Sequence, residues 1–156
     1  MEIWYREKQV DEIARRLNIP KNDVDLVLYN YTMYLQARVN AGQTVKVLNI
    51  CYLKNSENVA DEKIETLAYI STEIANLSSM GRVTVHRILL LLEELIVKDL
   101  GEGLGFAIKG LIRIRALYEN GERKVRIKKS TKYNSKRVTV VTLNAFRRKV
   151  ASYNAR

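Results

Sequence analysis

The stretch STEIANLSSMGRVTVHRILLLLEELIVKDLGEGLGFAIKGLIRIR, residues 71–115, aligns without a gap on VDEIARRLNIPKNDVDLVLYNYTMYLQARVNAGQTVKVLNICYLK, residues 10–54. The offset is 61 residues, so that Leu28 meets Leu89 and Gly42 meets Gly103. Identities are few, but apolar residues occupy corresponding positions over the full length. Because self-similarity at a fixed spacing indicates repeated structural units, the sequence predicts a tandem duplication.

Both copies have the same predicted anatomy. A short helix ends near residue 17 or 77, and a longer helix follows near 22–39 or 83–99, where apolar residues recur at helical spacing. The second long helix is apolar on nearly every side from Ile88 to Leu92 and is therefore expected to be buried on most faces. Gly42 and Gly103 end the long helices, and strand-forming residues follow each of them. These elements predict an α+β fold in which the two copies share one core.

The surplus of positive charge lies entirely in the second half of the chain. The net charge is +10, yet residues 1–66 contain nine basic and ten acidic side chains, whereas residues 67–156 contain eighteen and seven. A localised basic field is typical of proteins that bind a polyanion. A merely soluble surface is the alternative explanation.

The most basic segment is VRIKKSTKYNSKRVTVV, residues 125–141. Val125 and Ile127 alternate with basic residues, and Val138 and Val140 resume the alternation beyond a polar turn. This pattern predicts a β-hairpin formed by the two ends of the segment.

Helix, turn, longer helix, glycine and β-hairpin resemble the HU/integration host factor (HU/IHF) family of DNA-bending proteins. The resemblance covers residues 10–54 and again 67–151, and residues 142–152, TLNAFRRKVAS, resemble the family's short C-terminal helix. It implies an N-terminal segment at 1–9, an armless HU-like repeat at 10–60 and a repeat with a basic β-arm at 61–156. Since that family forms intertwined dimers, the resemblance implies a single-chain pseudo-dimer with one arm. A chain that dimerises further through remaining apolar surface is the alternative architecture.

The resemblance also implies a non-enzymatic protein that binds the backbone of duplex DNA with little sequence specificity. The candidate contact residues are basic side chains of the arm, its neighbouring strand and the last helix, together with a tyrosine of the arm that could stack on a base or play a purely structural part: Arg113, Arg115, Arg123, Lys124, Arg126, Lys128, Lys129, Lys132, Tyr133, Lys136, Arg137, Arg147, Arg148 and Lys149.

A second function class stays open. Arms of this family carry a proline at the tip that wedges between base pairs, whereas the only proline here is Pro20. HU-like proteins are encoded by phages as well as bacteria, and some crAss-like phages carry such genes among their virion structural genes. The resemblance therefore also allows a virion protein, such as a connector or ring subunit, whose partners are neighbouring virion proteins or copies of itself. The expected location is the cytoplasm and nucleoid, or the virion.

Residues typical of catalysis and metal binding are scarce. His86 is the only histidine, and Cys51, the only cysteine, is expected in the core because a free cysteine behaves as a small hydrophobe. Gly101, Gly103 and Gly105 follow a helix instead of joining a strand to one, so a helix-ending turn is expected there in place of a phosphate loop. We expect no enzyme activity, cofactor, metal, small-molecule substrate or membrane span.

Overall fold

The computed structural model describes residues 7–55, 64–108, 111–129 and 138–153. Within these ranges the chain forms five helices and two three-stranded antiparallel sheets, so the fold class is α+β, as predicted. The helices are α1 (Glu7–Leu17), α2 (Lys21–Asn40), α3 (Leu67–Ser78), α4 (Arg82–Gly101) and α5 (Asn144–Ala151). The strands are β1 (Val45–Val47), β2 (Cys51–Asn55), β3 (Phe106–Ile108), β4 (Ile112–Glu119), β5 (Glu122–Lys129) and β6 (Val138–Thr142).

The long helices form because their apolar residues recur three or four positions apart and give each helix a face to bury. In α2 the buried residues are Val24, Val27, Leu28, Tyr31, Leu35 and Val39. In α4 they are Val85, Ile88, Leu89, Leu91, Leu92, Glu93, Leu95, Ile96, Leu100 and Gly101. The expected burial of α4 on most faces is confirmed, except that Leu90 is exposed.

Element bounds recur at the offset of 61 residues. The helices α2 and α4 both have 20 residues and begin at 21 and 82, and β1 and β3 begin at 45 and 106. Asn18 and Ser79, which follow α1 and α3, both adopt the left-handed conformation, with φ of 53° and 54°. The backbone N–H of the next residue, Ile19 or Met80, donates to the helix carbonyl five positions back in both cases. The two halves thus have the same backbone conformation at these positions although their side chains differ.

Helices of the two halves pack against each other. The first helix of each half contacts both long helices, and buried residues of both halves belong to one hydrophobic core. Leu28 and Leu89 are both fully buried in it. The amide of Asn30 donates to Oγ of Ser78 over 2.9 Å, which joins α2 to α3.

The strands divide into sheets with the orders β1-β2-β6 and β3-β4-β5. The predicted hairpin at 125–141 is therefore wrong, since β5 pairs with β4 and β6 pairs with β2. The two residues between β4 and β5, Asn120 and Gly121, both have positive φ, 50° and 82°. Such two-residue turns match the twist of adjacent strands and favour a tight hairpin. The strand β5 pairs with β4 in the second sheet. The strand β6 pairs with β2 and completes the first sheet.

The predicted C-terminal helix is confirmed as α5. Phe146 and Val150 lie four positions apart on its buried face, and α5 packs against α4 and β5. The sheet that holds β6 combines it with β1 and β2 of the first half, and α5 follows β6 directly.

Candidate nucleic-acid interface

The candidate site lies on the ribbon, defined as β4, β5 and the turn Asn120–Gly121. Burial alternates along β4: Ile112, Ile114 and Ala116 are buried, whereas Arg113 and Arg115 between them are exposed. Because successive strand residues point to opposite faces, one face of the ribbon packs on the core and the other meets solvent.

Four exposed basic side chains lie together on the solvent side, next to the half-buried Lys124 opposite Leu117. Arg113 is directly opposite Lys128, and Arg115 is directly opposite Arg126, so that all four share one face. We call this set the cationic face; its members are all exposed. Like charges directly opposite each other destabilise a sheet. An anion bound here would relieve that repulsion.

Two acids, the ladder partners Glu119 and Glu122, lie at the turn end of the same side and partly offset this field. Glu119 lies 3.6 Å from Nζ of Lys124 and 3.8 Å from the guanidinium of Arg126. These pairs are substantially exposed, so each contributes about 0–1 kcal/mol and does little to neutralise the face.

Three other predicted site residues have structural partners instead. The ammonium of Lys129 donates to the carbonyl of Val138 over 2.9 Å and joins β5 to β6. Arg147 donates to the carbonyl of Val125 over 3.1 Å and holds α5 against β5. Lys149 lies 3.3 Å from the carboxylate of Glu93. All three residues are nevertheless exposed, so each holds a contact within the fold and also faces solvent.

Arg123 lies away from the cationic face. Its guanidinium stacks over the Tyr118 ring at 5.1 Å, and a Cβ at Gly103 would lie 3.4 Å from it. Its Nε is buried without a hydrogen-bond partner among the described residues. Arg148 is exposed on α5. Lys132, Tyr133, Lys136 and Arg137 lie outside the described residues.

Sequence reasoning missed two features of the ribbon. Leu117 and Tyr118, near its tip, are 45% and 66% exposed. The dipeptide Asn120-Gly121, flanked by strand-forming residues, is the strongest short-range hairpin signal and would have located this turn. Leu117 lies opposite Lys124 and therefore belongs to the solvent side, beside the cationic face.

A groove of about 630 Å³ runs along β4 beside the end of β3. Glycines line one wall and the two β4 arginines with Leu117 line the other; the lining residues are Gly103, Gly105, Phe106, Ala107, Arg113, Ile114, Arg115, Ala116 and Leu117. The groove is thus both cationic and accessible.

Groups suited to catalysis lie elsewhere. The Nδ1 atom of His86 is 3.1 Å from Oγ of Ser71 on α3, and the side chain is half-buried on its helix. Cys51 is buried in β2, as predicted, and burial raises the pKa of its thiol to about 12. In the described part of the chain, we found no cluster of three or more His, Cys, Asp and Glu side chains able to hold a metal ion. Nor does any helix in those ranges have the length and apolarity needed to cross a membrane.

No protein-family model matches this sequence, and comparison with curated proteins found no significant relative. Membership of the HU/IHF family accordingly stays a proposal that rests on sequence resemblance and on the arrangement of elements.

Proposed function

We propose that this chain is a non-enzymatic, HU/IHF-like architectural protein that binds duplex DNA through the cationic face. The observation that carries the proposal is the register of the ribbon, in which Arg113 and Arg115 lie opposite Lys128 and Arg126 on one exposed surface. Basic side chains clustered this way neutralise phosphates and release counterions, which supplies most of the free energy of nonspecific DNA binding.

The recurrence of elements at 61 residues supports the tandem, pseudo-dimeric part of the proposal. Both halves place a short helix, a 20-residue helix and a three-residue strand in the same order, and their helices share one core. In this interpretation the ribbon is the arm, and β6 gives the first half the third strand that its own segment lacks.

Low sequence specificity follows from the chemistry of the cationic face. It consists of three arginines and one lysine on a ribbon, with no asparagine or glutamine among its members to contact base edges. Base-edge contacts normally provide discrimination of about 1–3 kcal/mol per pair. We expect duplexes of different sequence to differ in affinity by less than about tenfold.

The decisive experiment replaces all four residues of the cationic face, Arg113, Arg115, Arg126 and Lys128, by glutamine. The slope of log affinity against log salt should flatten by about 0.9 for each lost phosphate contact, or by about 3 to 4 in total. The control variant replaces four exposed helical arginines, Arg15, Arg16, Arg82 and Arg87, which changes the net charge equally. An unchanged slope in the first variant, or an equal change in the control, would refute DNA binding by the ribbon.

A virion structural role is the second candidate, and the exposed apolar tip favours it. Phosphate binding does not require Leu117 or Tyr118, whereas exposed apolar side chains at a ribbon tip suit contact with a neighbouring protein. A Leu117→Ser, Tyr118→Ser double variant would then lose self-association or assembly in sedimentation while its DNA affinity stays within about twofold. If DNA affinity alone falls, the tip serves DNA binding and the virion role loses its support.

A further inference from the structure

The strand β4 extends well past the strand that covers its edge. Pairing between β3 and β4 runs from Ile108–Ile112 to Phe106–Ile114, but β4 continues to Glu119. On its other side β4 is paired with β5 along its whole length. The edge of β4 beyond Ile114 therefore has no β-strand beside it in the described part of the chain.

The register shows which backbone groups this edge offers. Glu119 and Glu122 flank the two-residue turn and are ladder partners, so they form a hydrogen-bonded pair. In an antiparallel ladder, hydrogen-bonded and non-hydrogen-bonded pairs alternate. The N–H and C=O groups of Ala116 and Tyr118 consequently point away from β5, toward the edge that β3 leaves uncovered, where Tyr118 is 66% exposed and Ala116 7% exposed. Those of Leu117 point toward β5.

The groove of about 630 Å³ adjoins this edge. Gly103 and Gly105 are among its lining residues, and a Cβ at Gly103 would lie 3.4 Å from the Arg123 guanidinium. Arg115 and Leu117, which also line the groove, offer a charge and an apolar contact to alternate residues of an incoming chain.

We infer that the open edge of β4 at Ala116 and Tyr118 binds an extended acidic segment of a partner protein as an added β-strand. Strand addition uses main-chain hydrogen bonds for affinity and alternate side-chain contacts for specificity. Arg113 and Arg115 beside the groove favour carboxylates at those alternate positions. A second copy of this chain joined through the same edge would bring arginine against arginine, which charge repulsion disfavours. This inference does not depend on DNA binding.

The first test uses a labelled octapeptide of alternating threonine and glutamate, with a threonine–lysine octapeptide as control. The acidic peptide should bind at least tenfold more tightly in fluorescence anisotropy. On binding, the backbone amides of Ala116 and Tyr118 should gain protection from hydrogen exchange, whereas the amide of Leu117, already bonded to β5, should not change. Equal affinity for both peptides, or protection without this alternation, would overturn the inference.

The second test is a matched pair of substitutions at Tyr118. Tyr118→Pro removes the outward N–H, and proline is tolerated on an open strand edge. Tyr118→Ala removes the same ring but keeps the N–H. Loss of a main-chain hydrogen bond should weaken peptide binding about tenfold in the proline variant relative to the alanine variant.

Thermal melting monitored by circular dichroism checks that both variants fold. If the proline variant does not fold, the amide-protection pattern of the unmodified chain tests strand addition instead. The salt dependence of DNA binding should be the same in both variants. Failure of strand addition is therefore distinguishable from failure of the proposed DNA binding. Equal peptide affinity in two folded variants would contradict strand addition.

Discussion

The backbone N–H of Asn49 donates to Oε1 of Glu93 over 2.7 Å, which ties the β1–β2 turn to the middle of α4. Glu93 is only 5% exposed, and its other oxygen lies 3.3 Å from Nζ of Lys149 on α5. A single carboxylate thus joins three elements that are distant in sequence. This explains why a glutamate occupies a largely apolar face of α4.

Replacing Glu93 should reveal the value of that acceptor. In Glu93→Leu, the N–H of the half-buried Asn49 loses its partner, and an unsatisfied donor that is shielded from water costs about 1–3 kcal/mol in the free energy of unfolding. Glu93→Gln keeps an oxygen for Asn49 and should lose less. The control is Lys149→Gln, whose exposed ammonium contributes less than about 1 kcal/mol. Urea denaturation measures all three, and equal losses in the leucine and glutamine variants would exclude this role.

Leu28 and Leu89 should be equally important to the core. Both are fully buried and occupy corresponding positions of α2 and α4. Truncation of a buried leucine leaves a cavity and typically costs 2–5 kcal/mol, so Leu28→Ala and Leu89→Ala should each reduce the free energy of unfolding by about that amount. The control Leu26→Ala, at an exposed position of α2, should stay within about 0.5 kcal/mol. A loss at only one of the two buried leucines would contradict a shared core.

The turn of the ribbon depends on Gly121. Its φ is +82°, and a Cβ there would meet nothing within 4 Å, so any loss on substitution reflects backbone conformation alone. Gly121→Ala should destabilise the chain by about 1–2 kcal/mol, because left-handed backbone disfavours a side chain. Gly105→Ala is the control, since a Cβ there would make only ordinary contacts, the nearest 3.6 Å from the Ile114 carbonyl oxygen. Thermal melting monitored by circular dichroism compares them, and similar shifts would argue against strain at the turn.

Burial of Cys51 predicts a loss of stability at alkaline pH. The thiol ionises near pH 9 when exposed, and burial raises its pKa to about 12 in the folded chain. Between these values the unfolded state binds fewer protons than the folded state, so stability falls as pH rises, by about 1.4 kcal/mol per pH unit. Below pH 9 this thiol adds no pH dependence.

The variant Cys51→Ala, although less stable overall, should lack this part of the alkaline slope. Denaturation at a series of pH values from 8 to 11 provides the comparison, and parallel curves for both proteins would rule out the effect. A thiol reagent at pH 8 should react with Cys51 only when urea is present.

Local pattern was enough to predict the helices. The expected spans 22–39 and 83–99 became 21–40 and 82–101, because helical spacing of apolar residues is read within one segment. The pairing of the strands could not be predicted in this way. Alternation identified residues 125–129 and 138–141 as strand-forming, but it does not say which strand lies alongside. The pairing of β6 with β2 is a long-range tertiary contact that the pattern of neither segment predicts alone.

Only part of the candidate site could be predicted, again because sequence pattern does not show which segments lie side by side. Arg113, Arg115, Arg126 and Lys128 were all among the expected contact residues, and the register of β4 with β5 places them on one face. Lys129, Arg147 and Lys149 were expected in the same site because they are basic and fall on the arm and last helix that the resemblance implies, and each has a partner within the fold. Charge in a sequence identifies a basic region but does not separate cations that hold the fold from those that face outward.

The pairing of β6 with β2 has a consequence for how the chain matures on the ribosome. Cys51 lies beside Thr142 in the folded sheet. The strand β2 therefore cannot pair with β6 until residues 138–142 have been synthesised. Contacts between residues so distant in sequence slow folding, and an unpaired strand edge invites aggregation in the interval. The nascent first half therefore depends on the last strand for protection, and a translation product that stops short of β6 would expose that edge to the cell.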